Sequence, residues 1–314
     1  MMAATALRTW VGSFRAMNTR VEVQVVSAEG NAAREVVAVQ AVFAMYERTL
    51  SRFLAGSSLS QVNAAAGRWV EAPELLLEAV QDALAWSRRL PGLFDPTVLD
   101  AVIAAGYDRS FEQVPAARAA GSAESAGRAV PGTEGIGIDL RGGRMRMPAA
   151  VRLDLGGIGK GLAVDTALAM LGGRWPGAMV NAGGDIAVHG AAAGGPWCAA
   201  VADPFAPERD LAAVRLHDQA LATSSTLRRR WRVGDEQRHH LIDPANGRPS
   251  SSPIVQCTAV APTCTAADVL AKAILLAGPE EGERVLALGG GTAALAVTAS
   301  GEALSFGEWE ALSA

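Results

Sequence analysis

The sequence predicts an α+β protein in which mixed sheets pack against helices. Short strand-length apolar runs crowd the second half, Gly pairs punctuate them, and helical spacing recurs without the regular alternation of a doubly wound parallel sheet. Residues 20–27, RVEVQVVS, alternate polar and apolar as a half-buried strand does, and residues 31–50 change to a helical spacing of Val, Phe, Met and Leu. A second helix is expected over 73–90, where Pro73 suits a first turn, Leu76, Val80, Leu84 and Trp86 form an apolar stripe, and Pro91-Gly92 ends the run. Residues 115–135 are small, polar and Gly-containing, and read as a mobile loop or weak helix on the surface. From 136 onward, strand-like runs (IGIDL, RMRMP, VRLDL, AMVN, DIAVHG, WCAAVAD) surround a helix over 158–172. A strand at 254–261, helices at 265–277 and near 279–288, and a final strand pair around 292–306 complete the chain.

At 314 residues the chain can bury a large core. The expected organisation is a single unit over 1–314, allowing two closely packed lobes with the loop near 115–135. A net charge of −4 lacks the basic footprint of a general nucleic-acid binder. Half of the residues are hydrophobic, yet many are Ala, and no apolar run approaches a bilayer span. The first 18 residues show no sustained apolar h-region, so a cytoplasmic location without a membrane partner is expected. Cys198, Cys257 and Cys264 lack CxxC spacing, and the four histidines form no HExxH pattern, which disfavours a disulfide framework and a zinc site.

Four segments carry candidate chemistry. In 152–165, RLDLGGIGKGLAVD, a strand ending in Asp154 runs through Gly156, Gly157 and Gly159 into a helix near Lys160. Such a turn exposes helix N-terminal N–H groups, which with the lysine suit a phosphate or diphosphate; a tight strand-to-helix turn is the alternative. A Gly pair in 180–190 follows Asn181 and precedes Asp185, as in an ordinary hairpin. In 239–249, Asp-Pro and Asn-Gly place His240 and Asp243 beside consecutive turns. Asp268 and Lys272 share one face of an otherwise apolar helix. They read either as a solvated ion pair on an exposed stripe or as a carboxylate held beside a cation or phosphate.

Taken in order, these segments resemble the ApbE-type FAD:protein FMN transferases. The matching residues are Met17, Ser51-Arg52-Phe53, the GLFDPTV run from Gly92 to Val98, Asp154 to Asp165, Asn181 to Asp185, Ala222-Thr223-Ser224, His240 to Pro249 and Asp268 to Ala271, spread over residues 14 to 306. The resemblance implies transfer of FMN from FAD to a Ser or Thr hydroxyl on an acceptor protein, with Mg²⁺ on the FAD diphosphate and AMP leaving. It implies Asp268 and Lys272 as catalytic groups, and a metal shell from Asp268, the Gly157 carbonyl and a group at Ala271 or Lys272. Asp154 and Lys160 would contact FAD, while Met17, Phe53, Leu93, Phe94, Asp95, Leu241 and Ile242 would border its rings. Related expectations are an FAD pyrophosphatase, should water replace the acceptor, or a non-catalytic FAD-binding protein.

The sequence departs from the family pattern at Lys272, where a Thr hydroxyl commonly reaches the cation. A protonated lysine has only donors, so Mg²⁺ is expected to take a shifted ligand set or to bind weakly, with the ammonium neutralising part of the diphosphate charge. Asn18, Phe53 and Asn246 are milder departures, and Arg228, Arg229 and Arg230 read as a solvated basic strand edge, with binding of phosphate or an acidic target loop as the alternative.

Overall fold

The computed structural model describes residues 6–28, 31–65, 67–118 and 127–314. Its centre is an eight-stranded sheet: β1 (Arg8–Ala16), β2 (Thr19–Ser27), β3 (Gly177–Ala182), β4 (Asp185–Gly190), β5 (Ala220–Ser225), β6 (Ile254–Ala261), β7 (Ala293–Thr298) and β8 (Ala303–Gly307). Each strand lies beside the next in chain order, and every pairing is antiparallel. The long excursions between paired strands carry the rest of the molecule. Between β2 and β3 run α1 (Ala33–Leu50), α2 (Glu74–Arg89) and α3 (Gly159–Leu171); between β6 and β7 run α4 (Cys264–Ala277) and α5 (Gly282–Gly289).

The period of two in each strand divides its side chains between two cores. Ala178, Val180 and Ala182 of β3, Ala220 and Ala222 of β5, and Ala259 and Ala261 of β6 face the helices. Met179, Leu221, Val260 and Leu295 face a second core, closed by the hairpin of Trp197–Ala202 with Asp210–Leu216 and by Trp309. The alanines explain the composition: small side chains on the sheet let α3 and α4 approach closely. A Cβ on Gly161 would lie 2.6 Å from the Thr265 Cα, so only glycine fits where α3 crosses the start of α4. Four residues on, Asp165 accepts from the Cys264 N–H (2.7 Å), the Thr265 N–H (2.8 Å) and the Thr265 hydroxyl (2.6 Å), tying α3 to the N-terminus of α4.

Three expectations require correction. Residues 8–16, to which the sequence assigned no element, form edge strand β1, whose two-residue turn Met17-Asn18 has φ of 47° and 58°. Residues 151–155 are extended but have no strand partner. The Asn63 side chain replaces a neighbouring strand there, donating to the Leu153 carbonyl (2.9 Å) and accepting from its N–H (2.8 Å), while Asp154 N–H donates to Pro96. Pro73 precedes α2 as its cap rather than standing in the first turn. In the 115–135 segment, residues 119–126 lie outside the described residues; Ala117–Arg118 pairs in parallel with Arg232 and Val233. No helix of the described residues is long and apolar enough to cross a membrane.

Candidate active site

A cleft of about 800 Å³ opens where the β1–β2 turn, the glycine turn before α3 and the middle of α4 converge. This volume falls within the range of small-molecule sites. Its far wall is a third apolar cluster that includes Tyr107, Trp231 and Ile242, with Phe53 packed against it. Nearly all the residues singled out from the sequence line this one cleft.

At its floor, α3 starts without a side-chain cap, and Gly157, Gly159 and Lys160 face the opening. Lys272 reaches across from α4 and donates to the Gly157 carbonyl (3.0 Å), the Asp268 carbonyl (3.0 Å) and Asp268 Oδ1. Asp268 is 3% exposed, and its Oδ2 is buried without a hydrogen-bond partner. The pair therefore lies inside the cleft, which corrects the reading of a solvated stripe: α4 is buried on nearly every side, so its charges face the one opening available. Ala271 is fully buried and absent from the cleft lining, and its methyl side chain supplies no ligand atom.

Two further carboxylates each hold one cation. Asp154 takes the Arg52 guanidinium at 3.0 Å and accepts from the Gly156 N–H at 2.7 Å, which fixes the glycine turn. Arg52 also donates to the Tyr107 carbonyl (2.9 Å) and stacks on the Phe53 and Tyr107 rings, 4.1 and 4.6 Å from their centroids. Lys160 pairs with Asp185 at the start of β4. Burial pulls Lys160 below lysine's ordinary pKa; Asp268 opposes that pull, while Lys272 and Arg229 add to it.

The walls are apolar. Met17 sits at the left-handed turn, Leu93 and Phe94 form one side, and Leu241 and Ile242 lie at another. Asp95 also lines the cleft, but its carboxylate folds into a local turn, accepting from the Thr97 N–H (2.8 Å) and hydroxyl (2.6 Å). His240 stands beside Tyr107 with ring centroids 6.3 Å apart. Its bond to the Arg229 backbone leaves Nδ1 buried and unpartnered. Burial holds the ring well below the ordinary histidine pKa, and the charges of Arg229, His239 and Lys272 push the same way, so it is neutral. Arg228 and Arg229 belong to the turn after β5 and line the cleft, and only Arg230 begins a strand, correcting the solvated-edge reading.

The model of the ApbE family matches residues 17–296. The chain belongs to the ApbE family. It is 31% identical over 311 residues to the FAD:protein FMN transferase of Rhodobacter capsulatus, covering 95% of this chain and 57% of that protein. A relative of the same name from Klebsiella pneumoniae is 26% identical over 258 residues, covering 79% of this chain and 72% of that one. The chain thus spans just over half the length of the Rhodobacter relative. The ApbE protein of Thermotoga maritima has the same fold, with a TM-score of 0.84 at 24% identity over 98% of this chain and all of that one. The flavinyl transferase ApbE of Pseudomonas stutzeri superposes with a TM-score of 0.79 at 23% identity over the full length of both.

Within this ApbE-family cleft, sequence reasoning assigned no role to Arg52, Asp185 or His240, although all three stand inside quoted motifs. The signal for Arg52 and Asp185 was the charge itself: a carboxylate or cation inside a motif that folds into a buried site needs a counter-charge. His240 carried no such signal, because residue spacing does not show that its Nδ1 is left buried and unpartnered.

Proposed function

We propose that this ApbE-family chain transfers FMN from FAD to a Ser or Thr hydroxyl of an acceptor protein. The carrying observation is that the glycine turn after Asp154 and the Asp268–Lys272 pair of α4 meet across one cleft, joined by the 3.0 Å bond from Lys272 to the Gly157 carbonyl. A diphosphate fits this floor, where an uncapped helix start and the charges of Lys272, Arg52, Arg228 and Arg229 face one another. The apolar walls at Met17, Phe53, Leu93, Phe94, Leu241 and Ile242 suit flat rings on either side.

In the proposed reaction the acceptor oxygen forms a bond to the FMN-side phosphorus, and the bond from that phosphorus to the bridging oxygen breaks. AMP leaves with the bridging oxygen. The hydroxyl proton goes to His240 Nδ1, which is neutral, buried and has no other partner among the described residues. Asp154 and Arg52 hold the turn in register, and positioning with charge neutralisation lowers the barrier.

Mg²⁺, which the family resemblance implies, does not fit the residues present. The oxygens it would use, the Gly157 carbonyl and Asp268 Oδ1, already receive donors from the Lys272 ammonium, whose charge repels a second cation. No step is therefore routed through a metal. Incubation with FAD and candidate acceptor proteins, followed by intact mass measurement and AMP detection, tests the reading. An acceptor mass gain equal to FMN less water, with AMP, is the expected result. AMP with free FMN identifies a pyrophosphatase instead, and binding without either product identifies a binder; both outcomes reject transfer.

A further inference from the structure

Lysine has three N–H donors, and Lys272 spends them on three oxygens: the carbonyls of Gly157 and Asp268, each at 3.0 Å, and Asp268 Oδ1. The arrangement is that of a cation coordinated by a strand-to-helix turn on one side and a buried carboxylate on the other. Its charge arrives on the chain's own helix, one turn beyond Asp268, with a side chain only 16% exposed. Two neighbouring carboxylates are matched in the same way, Asp154 by Arg52 and Asp185 by Lys160. A single unpartnered oxygen, Asp268 Oδ2, remains at the pair, and the ammonium beside it repels a second cation.

We infer that the Lys272 ammonium is the resident cation of the diphosphate site, so that this chain binds FAD without a divalent metal. The inference rests on FAD being the ligand of the cleft, but the state of Lys272 can be read independently of FAD. A tethered ammonium carries one positive charge where a divalent ion carries two. The remaining negative charge of the diphosphate is met by Arg228 and Arg229 at the cleft wall and by the start of α3. A lysine on α4 is always present, whereas a metal ion must be drawn from solution.

Two measurements test this on the full chain. Mn²⁺ titration followed by electron paramagnetic resonance should show no loss of free-ion signal with the unaltered protein and a stoichiometric loss with Lys272→Thr, whose hydroxyl frees the Gly157 and Asp268 oxygens. FAD titration by flavin fluorescence should give affinities within about twofold in EDTA and in millimolar Mg²⁺ for the unaltered protein, and about tenfold or more tighter with Mg²⁺ for Lys272→Thr. Should Lys272→Thr fail to fold, Lys272→Met keeps the stem without the charge, and its FAD affinity should fall about tenfold or more whether or not Mg²⁺ is present. Sequestration of Mn²⁺ by the unaltered protein, or an FAD affinity that needs Mg²⁺, overturns the inference. Absence of FAD binding in every buffer rejects the proposed function instead, while the Mn²⁺ titration still decides the role of Lys272.

Discussion

Gly161→Ala probes the contact that brings the two halves of the floor together. The added Cβ would lie 2.6 Å from the Thr265 Cα, 2.8 Å from its N and 2.9 Å from the Cys264 carbonyl oxygen, all backbone atoms that no rotamer change can move aside. Restoring even 3.0 Å to the Thr265 Cα requires a shift of 0.4 Å, the difference between those two distances, and ordinary contact at 3.4 Å requires 0.8 Å. Overpacking of this kind costs about 1–3 kcal/mol. Alanine in place of glycine in a helix returns about 1 kcal/mol, so a net loss of about 2 kcal/mol is expected if the overlap takes its upper value. With an unfolding entropy of about 2.1 cal/mol/K per residue over 314 residues, roughly 0.66 kcal/mol/K, Tm should fall by about 3 °C. Because α4 carries Lys272 away from Gly157, FAD affinity should also weaken, by about tenfold. Gly56→Ala is the control, since its Cβ would meet nothing within 4 Å. Differential scanning calorimetry with FAD titration decides the matter: a Tm raised by the roughly 1.5 °C that helix propensity alone would give refutes the close-packing argument.

Other perturbations reach the remaining parts of the site. His240→Gln should lower transfer by about 10²–10⁴-fold while leaving the FAD dissociation constant nearly unchanged, and an equal loss in binding would remove His240 from the base role. His239 is lowered chiefly by burial, and His240 by burial and then by nearby positive charge, so the unfolded chain takes up protons below its histidine pKa of 6.5 that these folded rings refuse. Stability should therefore decline as pH falls from 7 to 5 and show no contribution from them above that range; calorimetry in which His240→Asn retains the full acid sensitivity would contradict this for His240. Arg52→Met strands the Asp154 carboxylate, whose side chain is 12% exposed, and should cost about 3–5 kcal/mol, or about 5–8 °C in Tm. Combining it with Asp154→Leu should recover much of that loss, and an unchanged melting temperature in the single variant would show the pair to be dispensable. Met17→Gly removes a left-handed strain of about 1–2 kcal/mol and adds a comparable backbone entropy, so stability should hold while FAD affinity weakens; a coupled loss of both would show that the turn matters only for folding.

The sequence alone determined α1 to α5 and most of the central strands, because their periodicities are local and strong, whereas the short helices Ser58–Asn63, Leu99–Ala104 and Trp309–Leu312 gave no such signal. Residues 20–27, 158–172 and 265–277 announce themselves as strand, helix and helix by spacing alone. Its motifs also brought forward Gly157, Lys160 and Asp268, all of which line the cleft, but assigned no role to Arg52, Asp185 or His240. Residues 151–155 misled because extended backbone and strand look alike in one dimension, and the Asn63 amide that satisfies Leu153 lies 90 residues away. β1 was missed because an edge strand exposed on one face has a weak pattern. Only the tertiary structure decided what Lys272 does. Spacing put it on the same face as Asp268, but whether that face met water or the Gly157 carbonyl depended on how closely α3 and α4 cross, which Gly161 permits and Asp165 fastens. A charge is defined by its surroundings, and those surroundings come from segments that the chain keeps 115 residues apart until it folds.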